Sequence, residues 1–369
     1  MDVFLSEDAI RRIRLRSQQL EPRNESRDVA SIVARVFGIQ AQEVSAANIG
    51  IQARSRGLTI KDIDQSRFSS QSIIRTWCMR GTLHYLASED VSWLLSLCGS
   101  TFASRSRKRL NNLGFNDNLA ETAIEIILDS VKKHGPQTRA EIIETLLNHG
   151  MTFDRKGQAP YHLIRRAALL GHICEVAPKG KEEAFGSLGD WVDLKPLEKE
   201  NSMLHALALR YLSAYQPATI EDLSSWSKLP MRRLRKAWAT LDPITTEVTS
   251  GKNPMKMLTK DLELERGNER PSVRLLPAFD NYLLGYSNRK HAVSNEDEPK
   301  VWPGGGIIRS TVIYDGWTIA TWKFGRRKKQ PSILITPLDT IHTDIDTLLK
   351  EEVDELNRFF GKYHNYEYT

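Results

Sequence analysis

Gln40 and Gln42, separated by Ala41, are two residues whose type and spacing could do chemistry without a titrating group. A carboxamide oxygen accepts hydrogen bonds and its nitrogen donates two, so a convergent pair can orient one water molecule. Residues two apart point the same way in extended backbone, whereas in a helix they diverge by about 200°. The pair therefore needs a non-helical joint, and the flanking residues predict one. Val29 to Phe37 reads as a helix with Ile32, Val33 and Val36 along one face, and Gly38 follows where a helix usually hands over to a left-handed residue. Ser45 is the expected cap of a second helix that runs to about Arg56 and is closed by Gly57. The structural alternative is that two amides at such a joint simply bond orphan backbone groups, since a carboxamide is a poor base.

Downstream, Ser72 to Ala87 reads as two strands turning near Arg80-Gly81, and this hairpin carries Arg75, Arg80 and His84. A basic hairpin can enter a minor groove or hold flanking phosphates. Equally, Arg80 can close the turn and His84 can be a satisfied structural histidine. Further cations cluster at Arg105 to Arg109, at Arg232, Arg233, Arg235 and Lys236, and at Arg326, Arg327, Lys328 and Lys329. One such cluster is read as a solvated face. Three of them, in a chain of net charge +6 and pI near 9.1, favour a nucleic-acid partner.

The elements that must position these residues follow a recurring order. A first helix is expected from Ser6 to Leu20, short helices at Thr59 to Ser66 and, behind a Ser88 cap, at Glu89 to Cys98. Helices are then predicted at Leu119 to Lys133, from Thr138 to Leu147 and at Pro160 to Leu170, followed by strands at His172 to Val176 and Glu183 to Val192. The order returns at Ser202 to Tyr215, Ile220 to Ser227 and Leu229 to Leu241. Pro136 to Ile142 and Pro217 to Leu223 share Pro-x-Thr-x-x-acid-aliphatic, the threonine-to-acid spacing of a capping box. Helix, helix, helix, hairpin is a winged-helix order. From Ser272 the chain turns β-rich, with strands at Ser272 to Leu276, Ile307 to Tyr314, Trp317 to Phe324 and Ser332 to Thr336, an Asp315-Gly316 hairpin signal, and a closing helix from Asp344 to Phe360. The expected fold is mainly α with β: three tandem winged-helix modules (1–117, 118–200, 201–270) and a β-rich, barrel-like module (271–369).

With 369 residues, 40% hydrophobic and 27% charged, the composition is that of a soluble globular protein. No apolar run approaches the roughly 20 residues of a membrane span, and the first residues lack a signal core, so a cytoplasmic protein with no membrane partner is expected. Cys78, Cys98 and Cys174 do not make a disulfide framework, and His172 with Cys174 falls short of a zinc ligand set. No metal and no cofactor is expected. Gly304 to Gly306 has the wrong spacing for a dinucleotide loop, and no Walker loop or hydrolytic triad is present. Asp280 and Arg289 could face a ligand, although an Asp before strands is usually a turn residue.

The runs Gly38 to Gln42 (GIQAQ), Arg75 to Leu86 (RTWCMRGTLHYL) and Leu275 to Tyr286 (LLPAFDNYLLGY) together resemble the AlkZ-like DNA glycosylases, a tandem winged-helix family. The resemblance spans about Ser6 to Leu338 and keeps the family's order of segments. It implies that Gln40 and Gln42 form the family's catalytic Gln-aliphatic-Gln element; a related subgroup has Asp for the second Gln, which this chain does not. It further implies a C-shaped assembly whose concave face holds double-stranded DNA, with Arg232, Arg233, Arg235 and Lys236 on phosphates; a monomer is expected. The implied reaction is monofunctional hydrolysis of the N-glycosidic bond of cationic N7-alkylpurines, and in some members the unhooking of interstrand crosslinks. The rival from another class is a non-catalytic tandem winged-helix DNA-binding protein or transcriptional regulator, because winged helices serve both roles.

Overall fold

The computed structural model describes residues 3–194, 196–251, 254–265, 271–325 and 332–369. The chain forms two compact units, one from residues 1–63 with 204–369, the other from residues 64–203. The first boundary thus falls inside the span expected as the first module. Among the described residues, no helix is long and apolar enough to cross a membrane.

In the first unit, the helix Glu7–Ser17 starts where the Ser6 side chain accepts from Ala9 N at 3.1 Å. Helices Glu200–Tyr215, Ile220–Ser227 and Met231–Ala239 follow one another and lead into an antiparallel hairpin, Thr245–Thr249 with Pro254–Leu258. Val3–Phe4 pairs in parallel with the first strand of that hairpin, Thr245–Thr249, which becomes the middle of a three-stranded sheet. The rest of this unit is a five-stranded sheet in sequence order: Val273–Leu276, Thr311–Tyr314, Trp317–Phe324, Ser332–Pro337 and Asn365–Tyr368. Asp315 (φ 46°) and Gly316 (φ 83°) are both left-handed, as a tight hairpin turn requires.

This sheet corrects one expectation. It is open, its first and last strands being unpaired with each other, so the barrel-like form is not adopted. The physical reason is the helix Thr343–Phe360: its Leu349, Val353 and Leu356 bury Val273, Leu275, Ile333 and Ile335, and a sheet with a covered face has no need to close. The architecture as a whole is mixed α and β.

The second unit repeats the element order. Helices Asp117–His134, Arg139–Asn148 and Ala159–Leu169 precede the antiparallel strands Ile173–Lys179 and Glu182–Ser187. The strand Ile73–Trp77 joins this sheet through Arg75 opposite Glu175 and pairs with Leu83–Ala87. The two threonine caps are reciprocal boxes: Thr138 with Glu141 (3.2 and 2.7 Å) and Thr219 with Asp222 (3.2 and 3.0 Å). Each such cap stabilises its helix by about 1 kcal/mol. Two expected serine caps are not caps. Ser45 and Ser88 lie inside the helices Val44–Gln52 and Ser88–Arg105, whose cap positions are held by Glu43 and Ala87 in extended backbone without a side-chain bond.

Candidate active site

The helix Val29–Arg35 begins at Asp28, whose carboxylate accepts from Ser31 N at 3.2 Å, and buries Ile32 and Val33. It ends in two successive left-handed residues, Phe37 (φ 60°) and Gly38 (φ 88°). A phenylalanine there is strained, and its surroundings hold it. Its ring stacks on Trp226 with centroids 5.1 Å apart, and the Arg210 guanidinium lies 5.0 Å from it. Gly38 N closes the turn on Val33 O at 2.9 Å, and Ile39–Gln40 then runs extended. From this backbone Gln40 Nε2 donates to Gln42 Oε1 at 2.7 Å. Gln40 is 8% exposed while Gln42 is open to solvent. The pair expected to converge does so, with one carboxamide set into the protein and the other at its surface.

The helix that follows is fixed by a charge pair that sequence reasoning did not foresee. Arg54, fully buried, donates to both oxygens of Asp280 at 2.7 and 2.8 Å, to Gly50 O at 2.9 Å and to Gln18 Oε1 at 3.1 Å. Asp280 also caps the short helix Asn281–Leu284, accepting from Tyr282 N at 2.8 Å. It is therefore a turn residue and an ion-pair partner at once. Arg289 is likewise occupied: its guanidinium lies 3.6 Å from the Trp302 ring centroid and 3.4 Å from Glu298, and burial pushes its pKa down. The only advance signal for these partners was the Leu275 to Tyr286 run itself; the residues it would meet are far away in sequence.

In the other unit, Arg80 (φ 59°) and Gly81 (φ 70°) make the hairpin turn. A side chain at Gly81 is strained by the positive φ, and its Cβ would lie 2.3 Å from Arg165 Nη2 and displace the guanidinium that donates to Gly81 O at 3.1 and 3.2 Å. Arg80 Nη2 is 2.9 Å from His84 Nε2, and His84 Nδ1 is 2.9 Å from Thr82 O. A guanidinium can only donate, so Nε2 accepts, Nδ1–H donates to the carbonyl, and the imidazole is neutral. Burial, reinforced by the Arg80 charge, holds the His84 pKa well below the usual histidine range. Arg75 is 4% exposed and paired with Glu175 and, at 2.8 Å, with Glu183; Arg67 meets the same Glu175 at 2.7 Å. Its charge is used inside the unit.

The helix Met231–Ala239 is arranged the other way. Leu234, Ala237 and Trp238 are buried, Arg232, Arg235 and Lys236 are exposed, and Arg233 is half-buried. Among the described residues, Arg232, Arg235 and Lys236 form no ion pair. Arg326, Arg327 and Lys328 lie outside the described residues. Cys78, Cys98 and Cys174 are buried thiols, and burial pushes the Cys174 pKa up to about 12. His172 is exposed and Cys174 is buried.

With this geometry in view, the chain can be set beside known proteins. It is 27% identical over 357 residues to the interstrand DNA cross-link repair glycosylase of Streptomyces sahachiroi, covering 92% of each chain. Its fold matches the solved structure of Streptomyces sahachiroi DNA glycosylase AlkZ with a TM-score of 0.84 at 22% identity, over 100% of both chains. A family model described as DNA glycosylase AlkZ-like matches residues 33–359. That match takes in the glutamine joint, the basic hairpin and the Leu275 to Tyr286 segment, and the chain therefore belongs to the AlkZ-like family of DNA glycosylases.

Proposed function

We propose that this enzyme hydrolyses the N-glycosidic bond of cationic N7-alkylpurines in duplex DNA, with Gln40 and Gln42 holding the attacking water. The observation that carries this reading is the 2.7 Å bond from Gln40 Nε2 to Gln42 Oε1, between a buried and an exposed carboxamide. It orients both amides before a water arrives, and pre-oriented groups lower the barrier by avoiding reorganisation. A purine alkylated at N7 carries a positive charge. When the C1′–N9 bond breaks, its electron pair returns to the base, which leaves neutral, so no acid is needed for departure. The water oxygen then bonds to the oxocarbenium-like C1′ and its proton passes to solvent, leaving an abasic sugar. Neither carboxamide titrates, so the site works without a tuned pKa.

Arg232, Arg233, Arg235 and Lys236 hold phosphates in this reading, with Arg80 a further contact at the hairpin turn, while Arg75 and His84 shape that hairpin from within. The repeated order of three helices and a hairpin supports tandem winged-helix modules at 118–200 and 201–270; a first module at 1–117 and a monomeric chain belong to the same reading. A relative that carries the name of an interstrand cross-link repair glycosylase supports crosslink unhooking as a second substrate class.

The test is single-turnover base release, at saturating protein, from a duplex holding one N7-methylguanine. Gln40→Ala and Gln42→Ala are each expected to lower the rate roughly a hundredfold or more while folding and duplex binding persist, because the interaction is used in the transition state. The wild-type rate is expected to vary little between about pH 6 and 8. Full activity in the double alanine variant returns the pair to a purely structural role.

A further inference from the structure

Resting on that reading of the glutamines, we infer that Asn281 is a positioning residue for them, acting through the two backbone carbonyls that precede Gln40. Asn281 is 4% exposed. Its Nδ2 donates to Gly38 O at 2.6 Å and to the Tyr215 hydroxyl at 3.0 Å, and stands 3.4 Å from Val36 O. The Tyr215 hydroxyl donates to Val36 O at 3.2 Å and accepts from Trp226 Nε1 at 3.1 Å. The hydrogens balance. Two amide hydrogens, one phenol hydrogen and one indole hydrogen meet the Gly38 and Val36 carbonyls and both lone pairs of the phenol oxygen.

These carbonyls belong to the left-handed Phe37-Gly38 turn that aims Ile39–Gln40. A left-handed phenylalanine reverts to ordinary backbone unless its neighbours over-determine it. Asn281 and Tyr215 supply that constraint on the carbonyl side, as Trp226 and Arg210 do on the ring side. The preceding residue, Asp280, holds Arg54 just beyond the helix that follows Gln42. Consecutive side chains thus clamp both flanks of the joint, Asn281 before it and Asp280 after it. The bonds of Asn281 run to the backbone and to Tyr215, and through them it sets where Gln40 stands; a misplacement of about 1 Å can cost roughly a hundredfold in rate.

The experiment uses the full chain and the same N7-methylguanine duplex. Asn281→Asp keeps the size but exchanges the donating amide for an acceptor facing carbonyls. Its single-turnover rate near pH 7.5 is expected to fall ten- to a hundredfold, with duplex affinity within about twofold of wild type. Protonation restores one O–H donor, so the rate should recover as pH is lowered toward about 5.5, while the wild-type profile stays flat. Tyr215→Phe, which leaves Asn281 in place, carries the test if Asn281→Asp does not fold, and is expected to lose rate without pH-dependent recovery. Hydrogen exchange at the amides of residues 38–42, read without substrate, should accelerate in both variants. The inference is overturned if both variants keep the wild-type rate, if the rate loss is matched by lost affinity, or if the Asn281→Asp loss is independent of pH. Unchanged rates beside an inactive Gln40→Ala overturn the clamp alone; unchanged rates with Gln40→Ala also active overturn the reading of the glutamines.

Discussion

The hairpin at residues 73–87 and the helix Met231–Ala239 look alike as sequence, since both interleave arginines with apolar residues. In the structure they use those charges in opposite ways. Arg75 sits on a strand with neighbours on both sides, directly opposite Glu175, and its side chain is buried in an ion pair. Arg232, Arg235 and Lys236 sit on a helix whose apolar stripe of Leu234, Ala237 and Trp238 takes the buried face, so the cations are turned to solvent. A count of cations therefore does not map phosphate contacts. What decides is whether the element leaves the guanidinium a carboxylate of its own chain, because a paired buried cation has no charge left to offer.

That contrast can be broken most directly at Arg75. Arg75→Ala strips Glu175 of one partner in a buried setting, and removal of one member of such a pair costs about 3–5 kcal/mol. Arg67 remains on Glu175, which places the expected loss at the low end of that range. Arg235→Ala, on an exposed helix face, should cost within about 0.5 kcal/mol. Urea unfolding of both variants reads the difference. A stable Arg75→Ala protein with weakened DNA binding would reverse the assignment.

The second test uses pH. His84 and His291 are buried, and burial holds both well below the usual histidine pKa, with Arg80 adding to the effect at His84 and Arg14 at His291. For a group whose folded pKa is depressed, the stabilisation is full above its unfolded pKa of about 6.5 and is lost as pH falls toward the folded value. Each such histidine should therefore cost about 1.4 kcal/mol per pH unit below that point. The melting temperature should fall on acidification, and His84→Gln should fall less steeply from a lower start. Substitutions at Arg232 and Arg235 should leave the slope alone. An unchanged slope in His84→Gln would mean that the hairpin histidine is not the neutral, desolvated group its bonds describe.

Local chemistry was legible in the sequence wherever a residue acts on its near neighbours. Thr138 and Thr219 cap the helices their spacing announced, Gly38 ends its helix, and Asp315-Gly316 makes its turn. The convergence of Gln40 and Gln42 needed only extended backbone, and that too could be read. Partners far apart along the chain could not be read. Nothing near Arg54 announces Asp280, nothing near Arg75 announces Glu175, and Val3–Phe4 pairs with Thr245–Thr249 across most of the chain. The open sheet was missed for the same reason, since periodicity within strands says nothing about the helix that covers them. Ser45 failed differently: a serine near a helix start is a cap only if its own backbone is the last extended residue, and here that residue is Glu43, which leaves Ser45 inside the helix.

The smallest expected effect is also the sharpest test of the exposed helix. If Arg232, Arg235 and Lys236 lie on phosphates, each contributes roughly 0.9 to the slope of log affinity against log salt. Removing one should make a fourfold rise in salt weaken duplex binding by about 3.5-fold less than in wild type. The loss should be the same for duplexes of different sequence, since phosphates carry no base identity. Base release at saturating protein should not change, because these side chains serve binding and not the reacting bond. Titrations of Arg232→Ala, Arg235→Ala and the triple variant across salt, beside single-turnover rates, separate the possibilities. A sequence-dependent loss would put the helix on base edges. An unchanged slope would remove it from the DNA and leave its exposed cations as solvated surface, which would make the helix and the buried hairpin alike after all.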